Sequence, residues 1–299
     1  MQTGLRGQTA LITGGASGIG QSIAIALASE GVRVYIADQA EANETLETIQ
    51  RSGGQGNSAI VDLRSEEEIA SLVSKVITDF GGLDLFVNVA GVYAAQSLTQ
   101  ITLDVWQDVL STNVTACALA SREVAKHMIS RRKGSILIVG STVVCAPSYQ
   151  GAAYRASKTA LRSFMETSAI ELAPFGIRVN MLTPGPFPTG LVRDLPEDQR
   201  IAASREVVLE QREGRLEEVR GAAVFLLSDT LASYITGTEV YVDGGLHLRP
   251  LYIGSPEVVE GLNRGFVRGL NTEEEDTEYE TLRSLRQTTP RARLRAGDR

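Results

Sequence analysis

Thr9-Ala10-Leu11-Ile12-Thr13 runs without a charge straight into Gly14-Gly15-Ala16-Ser17-Gly18-Ile19-Gly20. Apolar residues then recur at helical spacing over residues 19–28, and residues 32–37 form a second short apolar stretch. This is the signature of a strand, a glycine turn, a helix and a second strand. A strand apolar on both faces must be covered on both faces, which antiparallel hairpins open to water do not achieve.

The alternation continues along the chain. Helices are predicted near 41–51 and over 65–80, with strands near 58–61 and over 83–89. A long helical stretch covers 103–131, and further strands are expected at 135–139, 177–182 and 239–242. Residues 153–173 carry Leu161, Phe164, Met165, Ala169 and Leu172 as a helical stripe. The expected architecture is α/β, a Rossmann-type doubly wound sheet of about seven parallel strands. Pro184-Gly185-Pro186-Phe187-Pro188 breaks regular structure, and residues 189–214 read as a polar segment. Beyond Gly244-Gly245 the chain turns acidic at 273–276 and arginine-rich at its end, with a partly helical pattern over 251–269. The expected organisation is one domain over 1–248 and a C-terminal extension over 249–299.

A chain of 299 residues that is 43% hydrophobic can bury one large core. Its net charge of −7 offers no attraction to nucleic acid or to anionic membranes. No apolar run is long enough to cross a bilayer, and residues 1–8 lack a signal-peptide core, so a soluble cytoplasmic protein is expected. Cys117 and Cys145 show no metal or redox spacing and read as two buried thiols. His127 and His247 lack the flanking pattern of a metal site, so no metal is expected.

Glycines at a strand-to-helix turn let the backbone approach phosphate, and the free N–H groups of the following helix attract it. Gly14, Ser17, Gly18 and Ile19 are therefore candidate pyrophosphate contacts, with an ordinary tight turn as the plain alternative. Asp38, at the end of the second strand, is placed to accept the adenosine ribose hydroxyls and to repel a 2′-phosphate. That selects NAD over NADP. A helix-capping role for Asp38 is compatible with it. Asp62 and Leu63 close the third strand, where they meet adenine or Asp62 caps the next helix. Asn88-Val89-Ala90-Gly91 ends the fourth strand in a small turn that leaves room for the adenosine half, or is a plain loop.

Tyr154 and Lys158 stand at i and i+4 of a predicted helix, so a phenol and an ammonium leave one face a turn apart. An adjacent cation favours the phenolate, which a tyrosine with an ordinary pKa near 10 needs in order to act as a base at neutral pH. The ammonium can also donate to a nicotinamide ribose. Ser141 follows the strand at 135–139, on the sheet edge that also carries the glycine turn. Singly, these residues read as helix packing, a surface charge and a turn. Together they form a proton-transfer site.

These motifs resemble the short-chain dehydrogenase/reductase family from about residue 5 to 248. The resemblance rests on Thr13–Gly20, the Asn88–Gly91 turn, Asn113, Ser141, Tyr154-xxx-Lys158, Arg178-Val179-Asn180, Pro184-Gly185, Ile235–Gly237 and Val242–Gly245. It implies a catalytic tetrad of Asn113, Ser141, Tyr154 and Lys158. Tyr154 would exchange a proton with a substrate oxygen, Ser141 would hydrogen-bond that oxygen, and Asn113 would hold a water linking Lys158 to solvent. It also places Pro184, Gly185 and Thr189 at the cofactor, with Thr189 at the nicotinamide carboxamide. Val89 stands where the family usually has a second asparagine, and the extension is longer than in many members.

The expected activity is interconversion of a secondary alcohol and its ketone with NAD(H). By position, Val143, Gln150, Phe187 and the segment around 191–206 line the substrate, along with Ser141 and Tyr154. Alternatives are a pathway-specific carbonyl reductase or a non-redox enzyme on the same fold, and, outside catalysis, a nucleotide-sensing scaffold. A homo-oligomer, dimer or tetramer, is expected by analogy, through the long helices flanking the strand at 135–139.

Overall fold

The computed structural model describes residues 2–190 and 196–248. The chain divides into units Met1–Arg249 and Pro250–Arg299, the second lying outside the described residues together with the helical pattern at 251–269. Within the first unit the order is β1 (Thr9–Thr13), α1 (Gly18–Ser29), β2 (Arg33–Asp38), α2 (Asn43–Arg51), β3 (Gln55–Ile60), α3 (Glu66–Phe80) and β4 (Leu85–Asn88). There follow α4 (Leu103–Leu110), α5 (Ala116–Arg131), β5 (Gly134–Val139), α6 (Ala152–Leu172), β6 (Ile177–Pro184), α7 (Glu197–Val207), α8 (Glu218–Leu227) and β7 (Glu239–Val242).

Among the described residues seven strands form one parallel sheet in the order β3-β2-β1-β4-β5-β6-β7. The direction of winding reverses between β1 and β4, and ligands of open α/β sheets bind in the crevice such a reversal opens at the carboxyl ends. The strand interiors explain why both faces must be covered. Leu11, Tyr35, Phe86 and Ile136 bury in one cluster with residues of α3, α5 and α6, while their neighbours Ile12, Ile36, Val87 and Leu137 bury in the other with residues of α1, α2 and α8. No helix of the described residues is long and apolar enough to cross a membrane.

Sequence and structure differ at the edges. β3 starts at Gln55, three residues before the predicted strand, because this edge strand pairs only with β2 and needs no apolar run; its Ile60 is 65% exposed. The segment expected to be irregular contains α7, whose only buried residue is Ser204 and which therefore shows no apolar stripe. Helix α8, unpredicted, packs Val219, Ala223, Leu226 and Leu227 against the sheet. Helix α3 is capped by Ser65, whose Oγ accepts from Glu68 N, and the Glu68 carboxylate accepts the N–H of Asp62 in the turn before it.

Arg178 and Asn180 of β6 have structural duties. The buried Arg178 guanidinium donates to the carbonyls of Leu226 and Leu227 at 2.6 and 3.0 Å and pairs with Asp229 at 3.1 Å. Asn180 receives the N–H of Thr238 and donates to Ile235 O. Arg178→Ala leaves two carbonyls without their donor and one carboxylate without its cation. It is expected to cost about 2–4 kcal/mol, read as a lowered denaturation midpoint with unchanged cofactor affinity.

Candidate active site

The glycine loop between β1 and α1 is shaped by backbone contacts that no side chain tolerates. Gly14 has φ +70°, and a Cβ there would lie 2.7 Å from the amide nitrogen of Ala90. A Cβ on Gly20 would collide with the carbonyl of Gly14. The loop thus packs directly on the Asn88–Gly91 turn, which Thr13 pins by donating its hydroxyl to Asn88 Oδ1 at 3.1 Å. Ser17, the N-cap of α1, makes no side-chain capping bond, so the amides of Gly18 and Ile19 open the helix without a side-chain acceptor. Such an end binds an anionic phosphate through N–H groups and helix dipole. Thr189 packs beside Gly18, 3.3 Å from where a Cβ would stand, and Pro184-Gly185 lies over Asp243 at the end of β7.

Asp38 ends β2 with its carboxylate held at both oxygens, receiving the N–H of Ala16 at 3.0 Å and that of Ala40 at 3.1 Å. It therefore ties the second strand to the glycine loop. Asp62 is engaged by Arg64, which holds its carboxyl down at about 2, and the capping of α3 falls to Ser65 instead. Leu63 is buried.

Ser141 follows β5 and receives the N–H of Val143 on its Oγ at 3.3 Å. Tyr154 and Lys158 lie in the first two turns of α6. The Lys158 Nζ stands 5.7 Å from the centre of the Tyr154 ring and donates to the carbonyl of Val139 at 2.9 Å. Burial pushes the Tyr154 phenol up to about 12 against the opposing pull of a hydrogen bond with Ser141, and pushes the Lys158 ammonium down to about 8. The helical spacing leads one to expect a cation that eases the phenol toward phenolate. Desolvation dominates both groups instead, opposed at Tyr154 by the Ser141 hydrogen bond and at Lys158 by Cys117.

Asn113 shows why a polar residue sits in the middle of a predicted helix. The stretch 103–131 is helical throughout, but it widens into a π turn over Ser111–Thr115, which separates α4 from α5 and holds the buried Asn113. The Asn113 amide receives the N–H of Val92 at 2.7 Å, donates to Val92 O at 3.0 Å, and donates to Ser157 Oγ at 2.9 Å. Its side chain thus cross-links the loop after β4 to α6, one residue from Lys158. Gly91 lies between them, a Cβ there falling 3.2 Å from Asn113 Oδ1 and 3.7 Å from Lys158 Nζ.

Two residues missed in the sequence belong to this constellation. Ser157 holds Asn113, and Tyr93 sets its ring 5.4 Å from that of Tyr154 at 81°. Tyr93 follows Gly91 by two residues in a loop at the carboxyl edge, and that position is the signal that could have singled it out. Of the substrate candidates, Val143 is half-buried, Gln150 is exposed with φ +58°, Phe187 is buried in the core against Gly214, and of the segment at 191–206 residues 191–195 lie outside the described residues while residues from Glu197 onward belong to α7. Phe187 also borders a cavity of about 410 Å³ with Tyr241, Asp243 and His247. Cys117 is buried, whereas Cys145 is exposed, with Sγ 3.4 Å from the Tyr241 hydroxyl, because the loop after Ser141 runs over the surface. His127 accepts the N–H of Leu83, and His247 pairs with Asp243.

Residues 14–247 match the family model described as enoyl-(acyl carrier protein) reductase. Glucose 1-dehydrogenase 2 of Bacillus subtilis (strain 168) is 34% identical over 84% of this chain and 98% of its own length. The 3beta-hydroxysteroid dehydrogenase 1 of Eggerthella lenta is 32% identical, over 84% and 97%. Among solved structures, NAD+-bound xylitol dehydrogenase superposes with a TM-score of 0.75 at 30% identity, covering 81% of this chain and 99% of that one.

Proposed function

The chain belongs to the short-chain dehydrogenase/reductase family, an oxidoreductase fold that binds a nicotinamide cofactor, and from that premise we propose that it is an NAD(H)-dependent enzyme interconverting a secondary alcohol and its ketone. The observation that carries the reading is convergence. Ser141, Tyr154, Lys158 and the Asn113-anchored loop meet at the carboxyl edge where the glycine loop leaves unpartnered helix amides. The bound cofactor would supply or accept the hydride. In this reading Tyr154 moves the proton at the substrate oxygen, Ser141 orients that oxygen, Lys158 holds the nicotinamide ribose and the phenol, and Asn113 keeps a proton path to solvent. The pyrophosphate lies on Gly14, Ser17, Gly18 and Ile19, and the adenosine half meets Asp38, Asp62, Leu63, Asn88, Ala90 and Gly91. Pro184, Gly185 and Thr189 flank the nicotinamide. The protein works in the cytoplasm as a homo-oligomer joined through its long helices.

Solved neighbours carry either NADP or NAD+, so the choice between them rests here on Asp38. A 2′-phosphate would bring a second negative charge against a carboxylate already fixed by two backbone amides. Asp38→Ala is expected to raise the ratio of kcat/KM for NADP over NAD by about tenfold or more, with some loss for both cofactors because Ala16 loses its acceptor. Steady-state kinetics with each cofactor measures it. An unchanged ratio would remove Asp38 from cofactor selection.

A further inference from the structure

Two loops frame the catalytic groups. Residues 91–102 leave the Asn113-anchored turn beside Lys158, and residues 141–152 run from Ser141 into the helix of Tyr154. They are fastened together by the N–H of Gln96, which donates to Gln150 O at 3.0 Å next to a parallel bridge between Gln96 and Gly151. In a chain that is 22% charged, neither loop contains an Asp, Glu, Lys, Arg or His. The nearest guanidinium in sequence, that of Arg155, donates to the carbonyl of Val144 at 3.1 Å. Farther along, among the described residues, Arg200 pairs with Glu213 and Arg212 and Arg215 pair with Glu218, while Arg205 of α7 is exposed. A carboxylate or phosphate drawn into a site largely shielded from water needs charge-assisted donors to replace its hydration, and this mouth supplies none from its own loops.

The mouth offers aromatic surface instead. The Tyr93 ring meets that of Tyr154 edge to face, yet 38% of Tyr93 stays exposed, and Tyr149 on the opposite loop is 84% exposed. An open ring beside the reacting hydroxyl is a wall for the carbon skeleton attached to the reacting carbon. We propose that the substrate is a neutral secondary alcohol or ketone with an apolar ring skeleton, and that Tyr93 is the specificity-determining residue against which that skeleton lies. This rests on the reading of the site as an alcohol/ketone oxidoreductase.

The test compares full-length wild type, Tyr93→Ala and Tyr93→Phe by initial rates of alcohol oxidation with NAD and NADP. The substrates are decahydro-2-naphthol, 2-butanol, sorbitol and gluconate. Wild type is expected to show its highest kcat/KM with the fused-ring alcohol. Tyr93→Ala is expected to lower the ratio of decahydro-2-naphthol to 2-butanol by about tenfold, and Tyr93→Phe to retain it. A preference for any of the other three alcohols overturns the proposal. So does an equal loss on both alcohols in Tyr93→Ala, which would mean that the ring only steadies Tyr154. Wild type that oxidises none of the four with either cofactor overturns the underlying reading instead.

Discussion

Tyr154→Phe is expected to lower turnover by about 10²–10⁴-fold, the range a positioned acid or base contributes, while leaving the affinity for NADH unchanged. The substitution keeps the ring, so the edge-to-face contact with Tyr93 and the placement of Lys158 survive, and only the hydroxyl that Ser141 engages is lost. Binding measured by the fluorescence of the reduced nicotinamide separates the two quantities. The direction of the pH dependence follows from the same hydroxyl. With the phenol pushed up to about 12 by burial, alcohol oxidation, which needs the phenolate, gains rate as pH rises. Ketone reduction, which needs the protonated phenol, loses rate as the group titrates.

Lys158→Met is expected to reduce turnover by about 10²-fold or more and, unlike Tyr154→Phe, to weaken cofactor binding as well. Its effect on stability is distinctive. Burial holds the Lys158 ammonium at about 8 against an ordinary 10.5, so the folded protein carries a cost of about 3 kcal/mol for that charge at all pH values below 8. The cost is relieved as pH rises from 8 to 10.5, where the unfolded chain still binds the proton and the folded one has released it. Methionine removes the cost but leaves the Val139 carbonyl without its donor, a loss of about 1–3 kcal/mol that does not depend on pH. The variant is therefore expected to equal wild type or exceed it by up to about 2 kcal/mol near neutral pH and to lose ground to it progressively between pH 8 and 10.5. Denaturant titrations across that range measure the gap; a gap that does not move with pH would contradict a charged Lys158 in the buried site.

The parallel sheet was legible because its strands are apolar on both faces, as Leu11 with Ile12 and Ile136 with Leu137 illustrate. The glycine loop, Asp38, Ser141, Tyr154 and Lys158 were legible because their spacing along the chain already fixes which strand end or helix face they occupy. What escaped notice depends on contacts between distant segments. The π turn at Asn113 answers to the backbone of Val92, 21 residues away, and to Ser157, 44 residues away. Helix α7 has no apolar stripe to read. Phe187 lies between prolines in a loop, yet it is buried beside Gly214. The proton affinities of Tyr154 and Lys158 differ from what an i, i+4 pair implies because burial, which no local spacing encodes, dominates both.

The central claim is that this edge of the sheet moves a hydride between a nicotinamide and a carbon atom, with Tyr154 handling the proton. The direct measurement is isotope transfer: NADH carrying deuterium at C4 is incubated with a ring ketone and the protein, and the alcohol formed is analysed by mass spectrometry and proton NMR. Deuterium is predicted on the carbinol carbon, from one face of the nicotinamide only, with the label absent from the products of the Tyr154→Phe reaction because too little alcohol forms. NADH consumed without deuterium at that carbon, or label delivered at the wild-type rate by Tyr154→Phe, would contradict it.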